Sequence, residues 1–397
     1  MTAYHRNLGP GPGFVSRLNI FLANKQPGDT VTVQLEPGIY VNGLVGVVKV
    51  GEGVRLTVLG PVASGEAELR PTLIAGTILW FDLGDHAVAE LVRVDIIHQA
   101  PSVHATLVRA EGRGTLRIDS CAVKAQSLQI HPNPTLVLAS GHARVEIQNA
   151  LLASTDAGVR LLPRSSLSVR DSAFEVSGRG ISAQQPNEIT TENCWFDGCR
   201  VGIWTETRPK DAPTVLVYTD CRFERCGEAV VHSSAPAATS ALSEVTTLSI
   251  DGCEFVGAAR ELDIGVRLEL PWPIPAGGTA VRVDSCVFRG LDRGVVVTSV
   301  RADRVLIAGN TFDVMATCAI DLSGVSLLEP LRQVTLALAS GGAAVFLAPP
   351  YAVVDNVMFL DVPTTGAPGI GQRGGVCLPA WLDQAIQPTV ALIAPIT

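Results

Sequence analysis

The stretch Leu248-Ser-Ile-Asp-Gly-Cys-Glu-Phe255 decides the fold, because the chain writes it again as Val281-Arg-Val-Asp-Ser-Cys-Val-Phe288. The phrase is apolar–x–apolar, two polar turn residues, then small–x–large apolar. Earlier copies read Leu116-Arg-Ile-Asp-Ser-Cys-Ala-Val123, Val145-Glu-Ile-Gln-Asn-Ala-Leu-Leu152 and Leu167-Ser-Val-Arg-Asp-Ser-Ala-Phe174. Ile189-Thr-Thr-Glu-Asn-Cys-Trp-Phe196 and Leu216-Val-Tyr-Thr-Asp-Cys-Arg-Phe223 follow, and Val305-Leu-Ile-Ala-Gly-Asn-Thr-Phe312 and Ala352-Val-Val-Asp-Asn-Val-Met-Phe359 close the series. The shortest interval is 22 residues, as from Phe174 to Phe196, and longer intervals contain insertions. Alternating apolar positions mark half-buried strands. Three such strands cannot close a core alone, so a period of this length marks stacked coils that cover one another.

A second landmark lies six residues beyond the end of several phrases: Gly158-Val159, Gly180-Ile181, Gly202-Ile203 and Gly294-Val295. That spacing is constant, so the insertions must follow the Gly-led strand. They read as loops at 206–213, 233–240 and 271–278, rich in Pro, Ser and small residues.

These phrases resemble the right-handed parallel β-helix of the pectin-lyase-like superfamily. The Asn- and Asp-rich two-residue turn is similar to that family's polar bend between its second and third sheets. The stretch Gly28-Asp-Thr-Val-Thr-Val-Gln-Leu-Glu-Pro-Gly-Ile-Tyr40 resembles its first coil. The resemblance implies an all-β solenoid with three short strands per coil and about ten or more coils. It divides the chain into an N-terminal segment 1–27, a β-helix 28–360 and a closing segment 361–397. A β-sandwich would need antiparallel hairpins with Asn-Gly or Asp-Gly turns, which are scarce, and it leaves the period unexplained. The fold hosts lyases, hydrolases, epimerases, tailspikes and non-catalytic proteins, so the resemblance implies no single activity.

Composition narrows the partners. Of 397 residues 47% are hydrophobic and 17% charged, with 38 Gly and 25 Pro, a mixture suited to strands broken by turns. A formal charge of −8 leaves no basic excess for a phosphate backbone, so nucleic acid is not expected as a partner. No apolar run reaches membrane-spanning length, and the start lacks a charged-then-apolar leader. The expectation is a cytoplasmic chain without a membrane partner, a setting in which phage or injection-system particles also assemble. Nine cysteines, an odd number, fit reduced thiols.

Five of them, Cys121, Cys194, Cys221, Cys253 and Cys286, share the inward slot after the polar turn. Cys199 and Cys226 share a second slot. The pairs Cys194/Cys199 and Cys221/Cys226 superficially suggest a four-thiolate zinc site. However, Ala150, Ser172, Asn310 and Val357 fill the first slot elsewhere, so it selects small inward residues. A column of buried thiols is expected, with no metal site.

Two sets of outward residues carry the functional candidates. Glu175, Asp197 and Glu224 follow the closing phenylalanine in three consecutive coils. Neighbours in such a column stand about 5 Å apart and alternates about 10 Å. Those separations overlap the ranges of retaining and inverting glycosidases, and oxygen ligands so spaced could also hold Ca²⁺. They are catalytic candidates only if the protein is an enzyme; otherwise they are a solvated acidic turn. Aligning by the glycine places His131, Arg160, Ser182, Trp204, Val231, Asp263 and Val296 in a first outward row, and Gln184, Glu206 and Ser233 in a second. Arg160, Ser182, Gln184, Trp204 and Glu206 are the binding candidates. An outward Trp204 suits sugar stacking or a protein contact, and Arg160 could act as the base of a lyase. The residues of polygalacturonase-type members are not matched: Gly141-His142-Ala143 and Arg208-Pro-Lys210 come nearest and take no role. Gly369-Ile-Gly-Gln-Arg-Gly374 reads as a loop.

Two functions remain open. One is a non-catalytic scaffold or recognition protein that binds a protein or polysaccharide partner through its loop-walled face, without cofactor. The other is a polysaccharide lyase or glycoside hydrolase, with Ca²⁺ if a lyase.

Overall fold

The computed structural model describes residues 2–42, 46–61, 71–75, 78–98, 106–125, 135–154, 156–207, 214–234, 246–257, 263–270, 280–299 and 305–325, with short strands between 334 and 393. The chain divides into two compact units, 1–189 and 190–397. Among the described residues no helix is long and apolar enough to cross a membrane.

In the first unit the strands fall into three parallel sheets, and each coil visits them in the order A, B, C. Sheet A contains Thr30–Leu35, Arg55–Leu59, Val88–Val92, Thr115–Asp119, Arg144–Gln148 and Ser166–Arg170. Sheet B contains Ile39–Asn42, Thr72–Ala75, Asp95–His98, Ala122–Ala125, Leu151–Ser154 and Ala173–Val176. Sheet C contains Gly46–Val50, Leu79–Leu83, Thr106–Gly112, Thr135–Gly141, Ala157–Leu161 and Arg179–Gln184. This is a right-handed parallel β-helix. Pairing starts inside the segment that the sequence sets apart: Ala3–Leu8 lies parallel to Thr30–Leu35, and Gly11–Pro12 pairs with Ile39–Asn42. The helix Phe14–Leu22 then stands in place of a first C strand. Its Asn19 Nδ2 donates to the Val47 carbonyl at 2.7 Å, and Asn19 Oδ1 accepts from the Lys49 N–H at 3.1 Å.

The second unit repeats the scheme. Sheet A holds Thr214–Thr219, Thr246–Asp251, Ala280–Asp284 and Val305–Ala308. Sheet B holds Trp195–Asp197, Arg222–Glu224, Glu254–Val256, Val287–Arg289 and Thr311–Asp313. Sheet C holds Val201–Thr207, Glu228–Ser234, Ile264–Leu270, Arg293–Ser299 and Cys318–Val325. The long interval before the last phrase contains an antiparallel hairpin, Val334–Ala339 with Gly342–Leu347. Val353–Leu360 runs antiparallel to that hairpin and parallel to Val305–Ala308 and Thr311–Asp313.

The polar turn between sheets A and B has one physical requirement, a left-handed residue. Ser120, Asn149 and Asp171 supply it in the first unit. Asn193, Asp220, Gly252, Ser285 and Gly309 supply it in the second, with φ between 51° and 64°. Gly, Asn and Asp adopt that conformation most readily, which explains the sequence signature. The next residue turns inward. Cys194, Cys221, Cys253 and Cys286 are buried there, and their thiols donate to carbonyls two residues back, as Cys286 Sγ does to Asp284 at 3.1 Å. Asn310 takes the same slot in the following coil. Its amide accepts from Cys286 N and donates to the Val283 carbonyl, each at 2.9 Å. All eight cysteines whose side chains are described are buried and form no disulfide. Beside this column Phe196, Phe223, Phe255, Phe288 and Phe312 stack face to face with centroids 4.8, 5.1, 4.5 and 4.7 Å apart.

Candidate functional site

In the second unit the outward face of sheet B carries two rows in register. One is Trp195, Arg222, Glu254, Val287 and Thr311; the other is Asp197, Glu224, Val256, Arg289 and Asp313. Asp197 and Glu224 are therefore neighbours, as the repeat requires. Both, however, are engaged by arginines. Arg225 occupies the left-handed position of the next turn (φ 55°), which folds its guanidinium back onto Asp197 through Nε, at 2.8 Å, and Nη2. Arg222 lies between two carboxylates, with Nε 3.3 Å from Glu224 and Nη1 3.0 Å from Glu254. Arg289 Nε donates to Asp313 at 3.1 Å. The Arg225 pair is bidentate and fills one lone pair on each Asp197 oxygen, a geometry that favours the ionised carboxylate, whereas Glu224 receives a single contact. Asp197, Glu224, Glu254 and Asp313 are thus each paired with an arginine, a lattice of ion pairs interrupted by Val256, Val287 and Thr311.

Beside that lattice stands Trp195, in register with Arg222 and 38% exposed. Sequence reasoning passed over it in favour of Trp204. The signal was present, because Trp195 occupies the x of small–x–large, an outward position by the phrase's own alternation.

Sheet C of the second unit aligns Trp204, Val231, Arg267, Val296 and Asp321 in one outward row. Glu206, Ser233, Glu269 and Thr298 form the next. Trp204 and Glu206 are half-buried. Asp263 does not belong in the first row as expected. It is buried ahead of the strand, and Arg267 takes its place because Gly265-Val266 is the glycine landmark of that coil. Arg267 forms ion pairs with Glu228 and Glu269. The strands also run to Thr207 and Ser234, past the expected loop starts at 206 and 233. The remaining insertion residues, Arg208 and Lys210 included, lie outside the described residues.

In the first unit Arg160 aligns with Leu138 and Ser182 on sheet C. Arg160 and Gln184 are exposed. Ser182, expected outward and accessible, is only 8% exposed, its short side chain lying within reach of the Arg179 guanidinium at 3.5 Å. Glu175 is exposed on sheet B beside Ala153. His131 and most of 369–374 lie outside the described residues. Among the described residues no cluster of three or more His, Cys, Asp or Glu side chains is arranged to hold a metal ion.

One further polar group lies inside sheet C of the second unit. His232 is fully buried, with Nδ1 2.9 Å from Thr205 Oγ1 and, among the described residues, no hydrogen-bond partner for Nε2. Burial pushes its pKa down to about 4.

No family model matches the chain, and no curated protein does. Solved structures do. The tailspike protein gp49 of Acinetobacter baumannii bacteriophage Fri1, a capsular polysaccharide depolymerase, is 11% identical over 94% of this chain and 65% of its own, with a TM-score of 0.49. The likeness is one of fold. The PL6 family alginate lyase AlyGC is 14% identical over 90% of this chain and 40% of its own, at 0.39. The endo-xylogalacturonan hydrolase of Aspergillus tubingensis is 14% identical over 89% of this chain and 100% of its own, at 0.38. The chain therefore spans less than two thirds of the length of the tailspike and of the alginate lyase.

Proposed function

We propose that the chain is a non-catalytic β-helix recognition protein that binds a polysaccharide, with the sheet B face of the second unit as its principal surface. The observation that carries this reading is the engagement of Asp197 by Arg225 and of Glu224 by Arg222. Carboxylates so held are poor candidates for proton transfer, yet the same lattice offers fixed donors and acceptors to sugar hydroxyls. Trp195 adds an apolar plane beside them, the combination that sugar rings favour. The half-buried Trp204 and Glu206 extend the candidate surface to sheet C.

The test is a panel of polysaccharides scored for binding and for release of new chain ends, with and without Ca²⁺. Binding without cleavage is expected. Turnover that disappears in Asp197→Asn would replace this reading with a lyase or hydrolase. Absence of binding to any polysaccharide would leave a protein partner as the ligand.

A further inference from the structure

A groove of about 360 Å³ opens on the outward face of sheet A in the first unit, on a different sheet from the candidate residues Arg160, Glu175, Ser182 and Gln184. Its long wall is a single row across the strands. Glu90, Arg117, Glu146 and Ser168 follow one another in register, one strand to the next. The opposite wall is the neighbouring row, Asp119, Gln148 and Arg170. The buried Ile118 and Ile147 lie between the two rows. The volume falls within the range of small-ligand sites.

The walls are pre-positioned. Arg117 Nε donates to Glu146 at 2.7 Å, and Arg144 bridges Glu146 at 2.9 Å and Glu188 at 3.1 Å. Burial pushes the Glu146 carboxyl up, but the two guanidiniums outweigh it and hold the group below its usual range. Glu90 accepts from the Thr57 hydroxyl at 3.1 Å. Asp119 Oδ1 accepts from Ser120 Oγ and Asn149 Nδ2 at 2.9 and 3.2 Å, both donors belonging to the left-handed bend residues. Among the described residues, the Gln148 amide, the Ser168 hydroxyl and the Arg117 Nη groups make no side-chain hydrogen bond, so these donors and acceptors face the groove unspent.

We infer that this groove binds a neutral, hydroxyl-rich saccharide segment. Planar amide, guanidinium and carboxylate groups fixed on two parallel rows match the paired donors and acceptors of sugar hydroxyls. The charge argues for a neutral ligand: three carboxylates face two guanidiniums, on a chain of net charge −8, so no positive field gathers a polyanion. That the ligand is a sugar rests on the carbohydrate reading above; the groove and its charge balance do not.

Titration calorimetry of the full chain against neutral hexasaccharides of glucose, mannose and galactose, with hexagalacturonate alongside, tests the proposal. A neutral hexamer should bind with an affinity that changes little between low and high salt. Gln148→Ala, which removes no ion pair, and Arg117→Ala should each weaken it about tenfold, the scale of one lost hydrogen bond, with unchanged circular dichroism. Neutral binding that both variants leave intact overturns the groove assignment, as does binding of hexagalacturonate alone; the carbohydrate reading survives either result. If no saccharide of either kind binds, the carbohydrate reading itself falls, and this proposal with it.

Discussion

Gly202 lies directly against the ring of Phe223 in the following coil; a methyl group in place of its hydrogen would stand 2.7 Å from Cδ1 and 2.5 Å from the Ala229 carbonyl oxygen. The same match recurs between Gly265 and Phe288 at 2.6 Å and between Gly294 and Phe312 at 2.4 Å, both measured to the nearest ring carbon. The glycine landmark and the closing phenylalanine are thus matched: at each of these positions a side chain would meet both the ring and a backbone carbonyl of the next coil. Gly202→Ala should cost about 1–3 kcal/mol through overpacking. Phe255→Ala, which empties the middle of the stack, should cost about 3–5 kcal/mol. Urea unfolding measures both. An unchanged midpoint for Gly202→Ala would show that neither the ring nor the Ala229 carbonyl approaches so closely.

His232 gives stability a pH dependence of defined sign. Its native pKa, about 4, lies below the ordinary value of 6.5, so the unfolded chain takes up the proton first. The stabilising contribution is complete above pH 6.5 and is lost as the pH falls toward 4. At about 1.4 kcal/mol per pH unit the loss amounts to about 3 kcal/mol. His232→Gln should flatten the difference between urea midpoints at pH 7.5 and 4.5. A variant as acid-sensitive as the parent would assign the effect to other groups.

The two outward-row tryptophans should respond differently. Trp195→Ala should weaken polysaccharide binding about tenfold and leave the thermal midpoint nearly unchanged, because its exposed ring supports little else. Trp204→Ala, which uncovers a half-buried ring, should lose about 1–2 kcal/mol of stability. Equal stability losses with intact binding in both would remove Trp195 from the recognition surface.

The eight described thiols should be silent toward an aromatic disulfide reagent in the native state. Burial keeps the reagent out. Hydrogen bonding with the Cys221 and Cys286 thiols, together with burial, also pushes the Cys253 pKa well above its ordinary value. Titration in denaturant should reveal them. Rapid native reaction of more than one thiol would contradict the closed column.

The fold was legible because a stacked coil repeats its constraints. Each coil needs a left-handed bend, a small inward residue and a large ring, so Asp220, Cys221 and Phe223 announce the same geometry as Ser285, Cys286 and Phe288. The surface was less legible, since outward positions repeat no constraint. The column at Asp197 and Glu224 was placed correctly, but its neutralisation depends on where Arg225 and Arg222 point, and alternation says nothing of that. Asp263 was misplaced because extra residues preceded Gly265 and shifted the count. The groove at Arg117 and Gln148 escaped notice because it arises from side chains on four strands whose individual sequences look like ordinary solvated faces.

Asn19 has a consequence for assembly. Its carboxamide presents to Val47 and Lys49 the acceptor and donor that a peptide group of an adjoining strand would present. A parallel sheet propagates by offering such groups to the next chain, and here one side chain on a helix has already accepted the offer. At that end of sheet C in the first unit a counterfeit peptide thus already occupies the Val47 carbonyl and the Lys49 N–H, and a strand from another molecule would have to displace the helix to reach them.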